Sequence, residues 1–292
     1  MLKGIFPPIT TPFINDEIAF DKLSENLEKW NKTELSGYVV MGSNGESAFL
    51  TRDEKLRLIE EVKKNSSKDK LVIAGTGSDS IKETIVLTNL AANNGADYAL
   101  ILTPSFFKEK MNNISFEKYY TSIADNVDIP VIIYNVPKYT GVNIESPAVA
   151  KLADHKNIAG LKSSSENVAH LAEIIYNAGN NFETLVGTAS VLYPGLCVGA
   201  VGGVLALANI APDECVKIQK IYESGKKEEA LELQCRMIPV NKAVTGKYGV
   251  AGLKAALDLR GYFGGEPRSP LNKISEKDLE DLETILSEAD LI

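Results

Sequence analysis

A (β/α)8 TIM barrel followed by a C-terminal helical extension is the fold class this sequence predicts, and three observations predict it. Eight short apolar runs punctuate the chain up to Leu205, most of them without polar alternation. That is the mark of parallel strands covered on both faces. Helical patterns with recognisable starts lie between them, which makes the class α/β. The count of eight units favours a closed barrel over a doubly wound sheet.

Taken in order, strands are expected at residues 4–8, 37–41, 71–75, 98–102, 130–134, 158–162, 184–187 and 200–205. After the first, Phe20, Leu23, Leu27 and Trp30 mark one apolar helical face. Thr51-x-x-Glu54 and Ser80-x-x-Glu83 have the pattern of capping boxes, in which each side chain satisfies a free amide at a helix start. Ser146-Pro147 reads as an N-cap followed by proline at the first helical position. Residues 184–212 carry no charge, yet glycines and Pro194 divide them into short blocks. Two buried strands around a small helix explain that run better than a membrane span does. A helix over 212–224 completes the barrel. The tail keeps helical periodicity, and its last segment opens at Ser275-Glu276-Lys277-Asp278 with Leu279, Leu282, Ile285 and Leu286 on one side. The expected organisation is a barrel over 1–225 and an extension over 226–292 packed on it, with no low-complexity linker between them.

Composition narrows the function. The 292 residues are 44% hydrophobic and 24% charged, with a formal net charge of −8. A folded domain is expected, and the acidic balance disfavours nucleic acid or an anionic membrane as partner. Cys197, Cys215 and Cys235 lack CxxC spacing and fit a reducing, cytoplasmic compartment. The first residues run into prolines and carry no signal-peptide pattern. His155 and His170 are too few for a His-rich metal site, and no predicted strand end carries a carboxylate cluster, so no metal is expected.

Barrel active sites lie at the C-terminal ends of the strands. That rule selects Thr10 and Thr11, Gly42-Ser43-Asn44-Gly45-Glu46, Thr76, Thr103-Pro104-Ser105-Phe106-Phe107, Tyr134-Asn135 and Lys162-Ser163-Ser164-Ser165. Lys162 ends an otherwise uncharged strand. A lysine in an apolar barrel mouth loses hydration, which favours the neutral amine that Schiff-base chemistry requires. Its alternative role is a lysine that snorkels to solvent or pairs with an acid. Tyr134 ends the preceding strand, where a phenol beside an amine can pass protons; the alternative is a packed core tyrosine. The Gly42–Glu46 turn offers amides and small polar side chains suited to a carboxylate, although any tight turn after a strand has the same composition.

Together these residues resemble the dihydrodipicolinate synthase / N-acetylneuraminate lyase family of pyruvate-handling class I aldolases. The resemblance covers nearly the whole chain and rests on Gly4-x3-Pro8-x2-Thr11-Pro12-Phe13, Gly42-x-x-Gly45-Glu46, Tyr134-Asn135-Val136-Pro137 with Thr140-Gly141, and Gly160-Leu161-Lys162. It implies a homotetramer, a dimer of dimers, and a covalent Schiff base between Lys162 and pyruvate or another 2-oxo acid, with no separate cofactor. Tyr134 would shuttle protons, Ser43 and Asn44 would hold the substrate carboxylate, and Ser164 would help seat the oxo acid. Val204 is expected among the substrate-binding residues. Lys138, Tyr139 and Phe106 would line the end that receives the aldehyde.

Within the family, dihydrodipicolinate synthases usually read Gly-Thr-Thr-Gly-Glu where this chain has Ser43-Asn44. They usually carry arginine at the position of Tyr139, and a tyrosine that reaches across a subunit interface at the position of Phe106. The chain is more similar to the 4-hydroxy-2-oxoglutarate aldolase branch. The similarity lies in the Gly-Ser-Asn-Gly-Glu turn and in Gly199–Val204 with Ala206–Asn209. It extends to Asn241-x-Ala243-Val244-Thr245, Gly252-Leu253-Lys254 and the Gly261–Leu271 stretch. The expected reaction is therefore reversible cleavage of a 4-hydroxy-2-oxo acid to pyruvate and an aldehyde. The alternative is condensation of pyruvate with aspartate semialdehyde, and the least favoured is a non-catalytic barrel that binds a 2-oxo acid.

Overall fold

A computed structural model describes residues 2–292. Eight parallel strands form one sheet: β1 Gly4–Phe6, β2 Gly37–Val40, β3 Leu71–Gly75, β4 Tyr98–Leu102, β5 Val131–Asn135, β6 Ile158–Ser163, β7 Glu183–Val186 and β8 Gly202–Val204. Each strand pairs with its sequence neighbours, and β1 pairs with β8, as a (β/α)8 barrel requires. The seam between β1 and β2 is looser. Pro7 and Pro8 have no N–H to give, so regular pairing stops after Phe6. A bridge between Pro8 and Val39 closes the ring, with Val39 N–H donating to Pro7 O at 2.9 Å and Ile9 N–H to Val39 O at 3.0 Å.

Side chains from seven of the strands fill the barrel: Phe6, Val39, Ile73, Leu100, Ile132, Leu185 and Val204 pack together, with Tyr134 above them on β5. From β6 only the small Ala159 packs against this filling, and Lys162 follows at the cavity. A one-residue shift in the β5–β6 register leaves Ala159 unpaired, so that Tyr134 lies opposite Lys162 and not Leu161. Such a bulge re-aims everything beyond it. Leu161 packs outside the barrel against the helical layer.

The helix starts follow the sequence with two local differences. Thr51 makes the full capping box with Glu54. Ser80 accepts from Glu83 N–H, but the Glu83 carboxylate is taken by Arg52 at 2.7 and 2.8 Å and does not return to the cap. Ser146 is not a cap: the helix Ser146–Ala153 begins after Glu145. Ser146 Oγ donates to Glu173 O and accepts from Asn177, tying this helix to the next one. The uncharged stretch forms β7, the helix Leu192–Cys197 and β8. No helix among the described residues is long and apolar enough to cross a membrane.

Beyond the helix Pro212–Glu223, the chain adds helices Lys227–Lys242, Gly249–Leu259 and Glu276–Glu288. Leu253, Ala256, Leu257, Leu282 and Leu286 join the main hydrophobic core. Charge ties this segment back to the barrel mouth. Lys254 Nζ lies 2.6 Å from Glu46 Oε1, both side chains being sealed from water. Arg268 holds both Glu54 oxygens, at 2.6 and 2.9 Å, and stacks over Phe13.

Candidate active site

The ends of β2, β5, β6 and β7 and a turn of the C-terminal extension enclose a cavity of about 140 Å³. Lys162 and Tyr134 stand side by side within it, 3% and 6% exposed, with Lys162 Nζ 3.9 Å from the centre of the Tyr134 ring. Burial works to raise the Tyr134 pKa. The Lys162 charge, and hydrogen bonding with Ser164, Ser43 and Lys162, outweigh it, so the phenol is more acidic than an ordinary tyrosine. An acidified phenol against an amine is equipped to take and return protons.

Ser43 and Asn44 open a short 3-10 turn after extended Gly42, and both line the cavity. The first amides of such a turn have no acceptor inside it, so they are available to a ligand. Thr11 fixes the turn from below by donating to Gly45 O at 2.7 Å. Ser164 N–H donates to Asn135 O at 2.9 Å, and its Oγ reaches Gly187 O at 3.4 Å. A Cβ at position 187 would fall 2.0 Å from Ser164 Oγ, so glycine there is what gives the serine its place. Lys138 and Tyr139, after β5, also line the cavity.

Two expected residues stand elsewhere. Phe106 is 78% exposed, stacked edge-on against Phe107, and does not line the cavity. The reason is local: Asp79 Oδ1 accepts from the Ser105 and Phe106 amides and pins this loop beside the loop after β3. Val204 is buried one layer down in the barrel filling, against Phe6 and Leu185, and is not a lining residue. The structure also adds residues. Extending the strand-end rule to β7 would have named Gly187 and Thr188. Glu166 and the extension residues Val244, Thr245, Gly249 and Val250 had no strand-end signal. Among the described residues no three His, Cys, Asp or Glu side chains gather as a metal-ligand set.

Residues 1–289 match the Dihydrodipicolinate synthetase family. A 4-hydroxy-tetrahydrodipicolinate synthase of Methanocaldococcus jannaschii is 34% identical over 293 residues, covering all of both chains. Another, of Methanothrix thermoacetophila, is 36% identical over 289 residues, 98% of this chain and 97% of the relative. A crystal structure of dihydrodipicolinate synthase superposes with a TM-score of 0.93 at 34% identity over the whole of both chains. That of Thermotoga maritima gives 0.95 at 29%, again over both whole chains. The chain belongs to the Dihydrodipicolinate synthetase family, whose members are lyase-type enzymes of pyruvate Schiff-base chemistry. These relatives bear the synthase name, so the narrower resemblance to 4-hydroxy-2-oxoglutarate aldolases finds no support among them.

Proposed function

We propose that this chain joins pyruvate to a small aldehyde, or cleaves the adduct, through a Schiff base on Lys162. The observation that carries the reading is the Tyr134–Lys162 pair in the cavity. The free Lys162 amine adds to C2 of pyruvate, and loss of water leaves an iminium. Loss of a C3 proton then gives an enamine, whose C3 attacks the aldehyde carbon while the aldehyde oxygen takes a proton; water then hydrolyses the iminium this regenerates, releasing the adduct and the Lys162 amine. Tyr134 carries these protons. Ser43, Asn44 and Ser164 hold the pyruvate carboxylate and orient the carbonyl. The iminium is itself the electron sink, so the reaction as written needs no organic cofactor. Borohydride reduction in the presence of pyruvate is expected to add a three-carbon acid to Lys162. A label on another residue, or none, would overturn the reading.

For the aldehyde, the named relatives support aspartate semialdehyde and therefore a 4-hydroxy-tetrahydrodipicolinate synthase activity. A second reading, cleavage of a 4-hydroxy-2-oxo acid such as 4-hydroxy-2-oxoglutarate, is kept for one observation. The cavity wall carries Tyr139 where a guanidinium would be expected to grip the semialdehyde's carboxylate, with the Lys138 cation beside it. Parallel assays decide between them: condensation with aspartate semialdehyde at a kcat/KM well above that for 4-hydroxy-2-oxoglutarate cleavage supports the first, and the reverse supports the second.

A further inference from the structure

The turn that carries Ser43 and Asn44 is bracketed by two non-glycine residues with left-handed backbone, Met41 at φ 59° and Glu46 at φ 55°. A side chain in that region crowds the carbonyl that follows it, so each position needs something to hold it there. Packing in the main hydrophobic core holds Met41. Glu46 is held by its buried carboxylate. Oε1 lies 2.6 Å from Lys254 Nζ, and Oε2 accepts from the Arg268 amide at 2.7 Å. Both partners belong to the C-terminal extension, and the helix that carries Lys254 begins at Gly249 and Val250 on the cavity wall.

The Glu46 backbone decides how the turn is shaped. The Gly45 and Glu46 amides donate back to Gly42 O and Ser43 O at 3.0 and 3.2 Å, closing the turn behind the Ser43 and Asn44 amides. The left-handed bend at Glu46 then reverses the chain into a second 3-10 turn, Ser47–Phe49. A glycine would take this bend without cost. A glutamate takes it because its carboxylate reaches two partners from there. The anchor is itself fixed: Lys254 Nζ also donates to Glu266 O at 2.8 Å and lies 4.5 Å from the centre of the Phe13 ring. The extension thus holds a strained residue two positions from Asn44.

The geometry points to Glu46 and Lys254 as positioning residues for pyruvate: their ion pair holds the left-handed bend that shapes the Ser43–Asn44 turn. This rests on the Schiff-base reading above and gives the extension a part in the same site. The test removes both charges together, so that no lone charge is left buried, and compares two backbones. In Glu46→Ala/Lys254→Met a Cβ still opposes the bend; in Glu46→Gly/Lys254→Met nothing does. Exchange of the C3 protons of pyruvate in D2O, followed by NMR at increasing pyruvate, separates half-saturation from maximal rate. The alanine variant is expected to raise the half-saturating concentration about tenfold and to keep the maximal rate, because only a fraction of its molecules hold the competent turn. The glycine variant is expected to stay within about threefold of wild type. A pair that only stabilised the fold would move both variants alike. Equal half-saturation in the two therefore overturns the proposal, whether both match wild type or both rise. A fall in maximal rate at unchanged half-saturation places the effect in the chemistry and overturns it too. Where only the glycine variant folds, half-saturation within threefold of wild type supports the proposal and a tenfold rise overturns it. If neither folds, the pair is structural alone and the proposal falls. A wild-type chain that exchanges no pyruvate protons overturns the Schiff-base reading and this proposal with it, an outcome distinct from every variant result.

Discussion

Lys162 at the barrel mouth and Lys254 in the C-terminal extension are both nearly sealed from water, 3% and 0% exposed, yet their surroundings differ in kind. Lys254 has a carboxylate at 2.6 Å, the Glu266 carbonyl at 2.8 Å and the face of Phe13 beneath it. Burial lowers its pKa, and the Glu46 charge pulls it back toward the ammonium. Among the described residues no carboxylate pairs with Lys162, which instead lies over Tyr134 in a cavity a small ligand can enter. A buried ammonium paired with a carboxylate fastens two segments together. A buried lysine with no carboxylate beside it, facing an opening, is accessible to a small ligand.

The widest separation between the two regions is expected on removing each lysine. Lys162→Ala should lower turnover by roughly 10³-fold or more, abolish borohydride trapping of pyruvate and leave the unfolding midpoint almost unmoved. Turnover within tenfold of wild type would place the nucleophile elsewhere. Lys254→Met should do the converse. It strands the Glu46 carboxylate in the core and is expected to cost about 3–5 kcal/mol in denaturant unfolding, while the folded fraction still traps pyruvate on Lys162. A loss below about 1 kcal/mol would mean that the pair is not the fastening described here.

Tyr134→Phe sharpens the first half of the comparison. It keeps the ring against Lys162 and removes the hydroxyl, so kcat is expected to fall about 10²-fold with little change in stability. An unchanged kcat would leave proton transfer to another group. The smallest effect concerns the second ion pair of the extension. Hydrogen bonds from Arg268, above all, hold the Glu54 pKa down to about 2. A depressed carboxylate pKa stabilises the fold above the ordinary value, about 4.3, and that contribution is lost as pH falls toward 2. Glu54→Gln should therefore show a shallower decline in unfolding midpoint between pH 5 and pH 2 than the wild-type chain. Parallel declines would remove Glu54 from the acid response. Because Glu54 is near the surface, the difference is expected to be small.

Much of the architecture is legible in the sequence because it depends on local periodicity. The runs at 71–75 and 98–102 coincide with the observed strands, the Thr51 cap acts on Glu54 as its spacing predicts, and the last helix starts after Ser275, where it was expected to open. Ser146 misled because an N-cap serine and a serine that binds the next helix have the same local sequence. The strand-end rule found Lys162, Tyr134, Ser43, Asn44 and Ser164, all of which line one cavity. It also selected Phe106, which Asp79 holds away from that cavity in the single chain. Val204 was expected at the site, but strand β8 turns it into the barrel filling. Thr188 and Thr245 were not named as site residues, for different reasons. Thr188 sits at a strand end to which the rule was not extended, and Thr245 arrives from a helix whose π turn, Ala243–Lys247, has no sequence signature.

By itself, then, the sequence determined the alternation of eight strands with helices, the apolar faces of those helices and the residue types at most strand ends. All follow from side-chain periodicity and turn chemistry within a few residues of one another. Only the tertiary structure decided which of those residues meet. The single unpaired residue, Ala159, sets Lys162 level with Tyr134. The Glu46–Lys254 pair fastens the turn after β2 to the extension across a gap of more than two hundred residues. A register shift and a long-range ion pair depend on distances between segments, and local spacing holds no record of those distances.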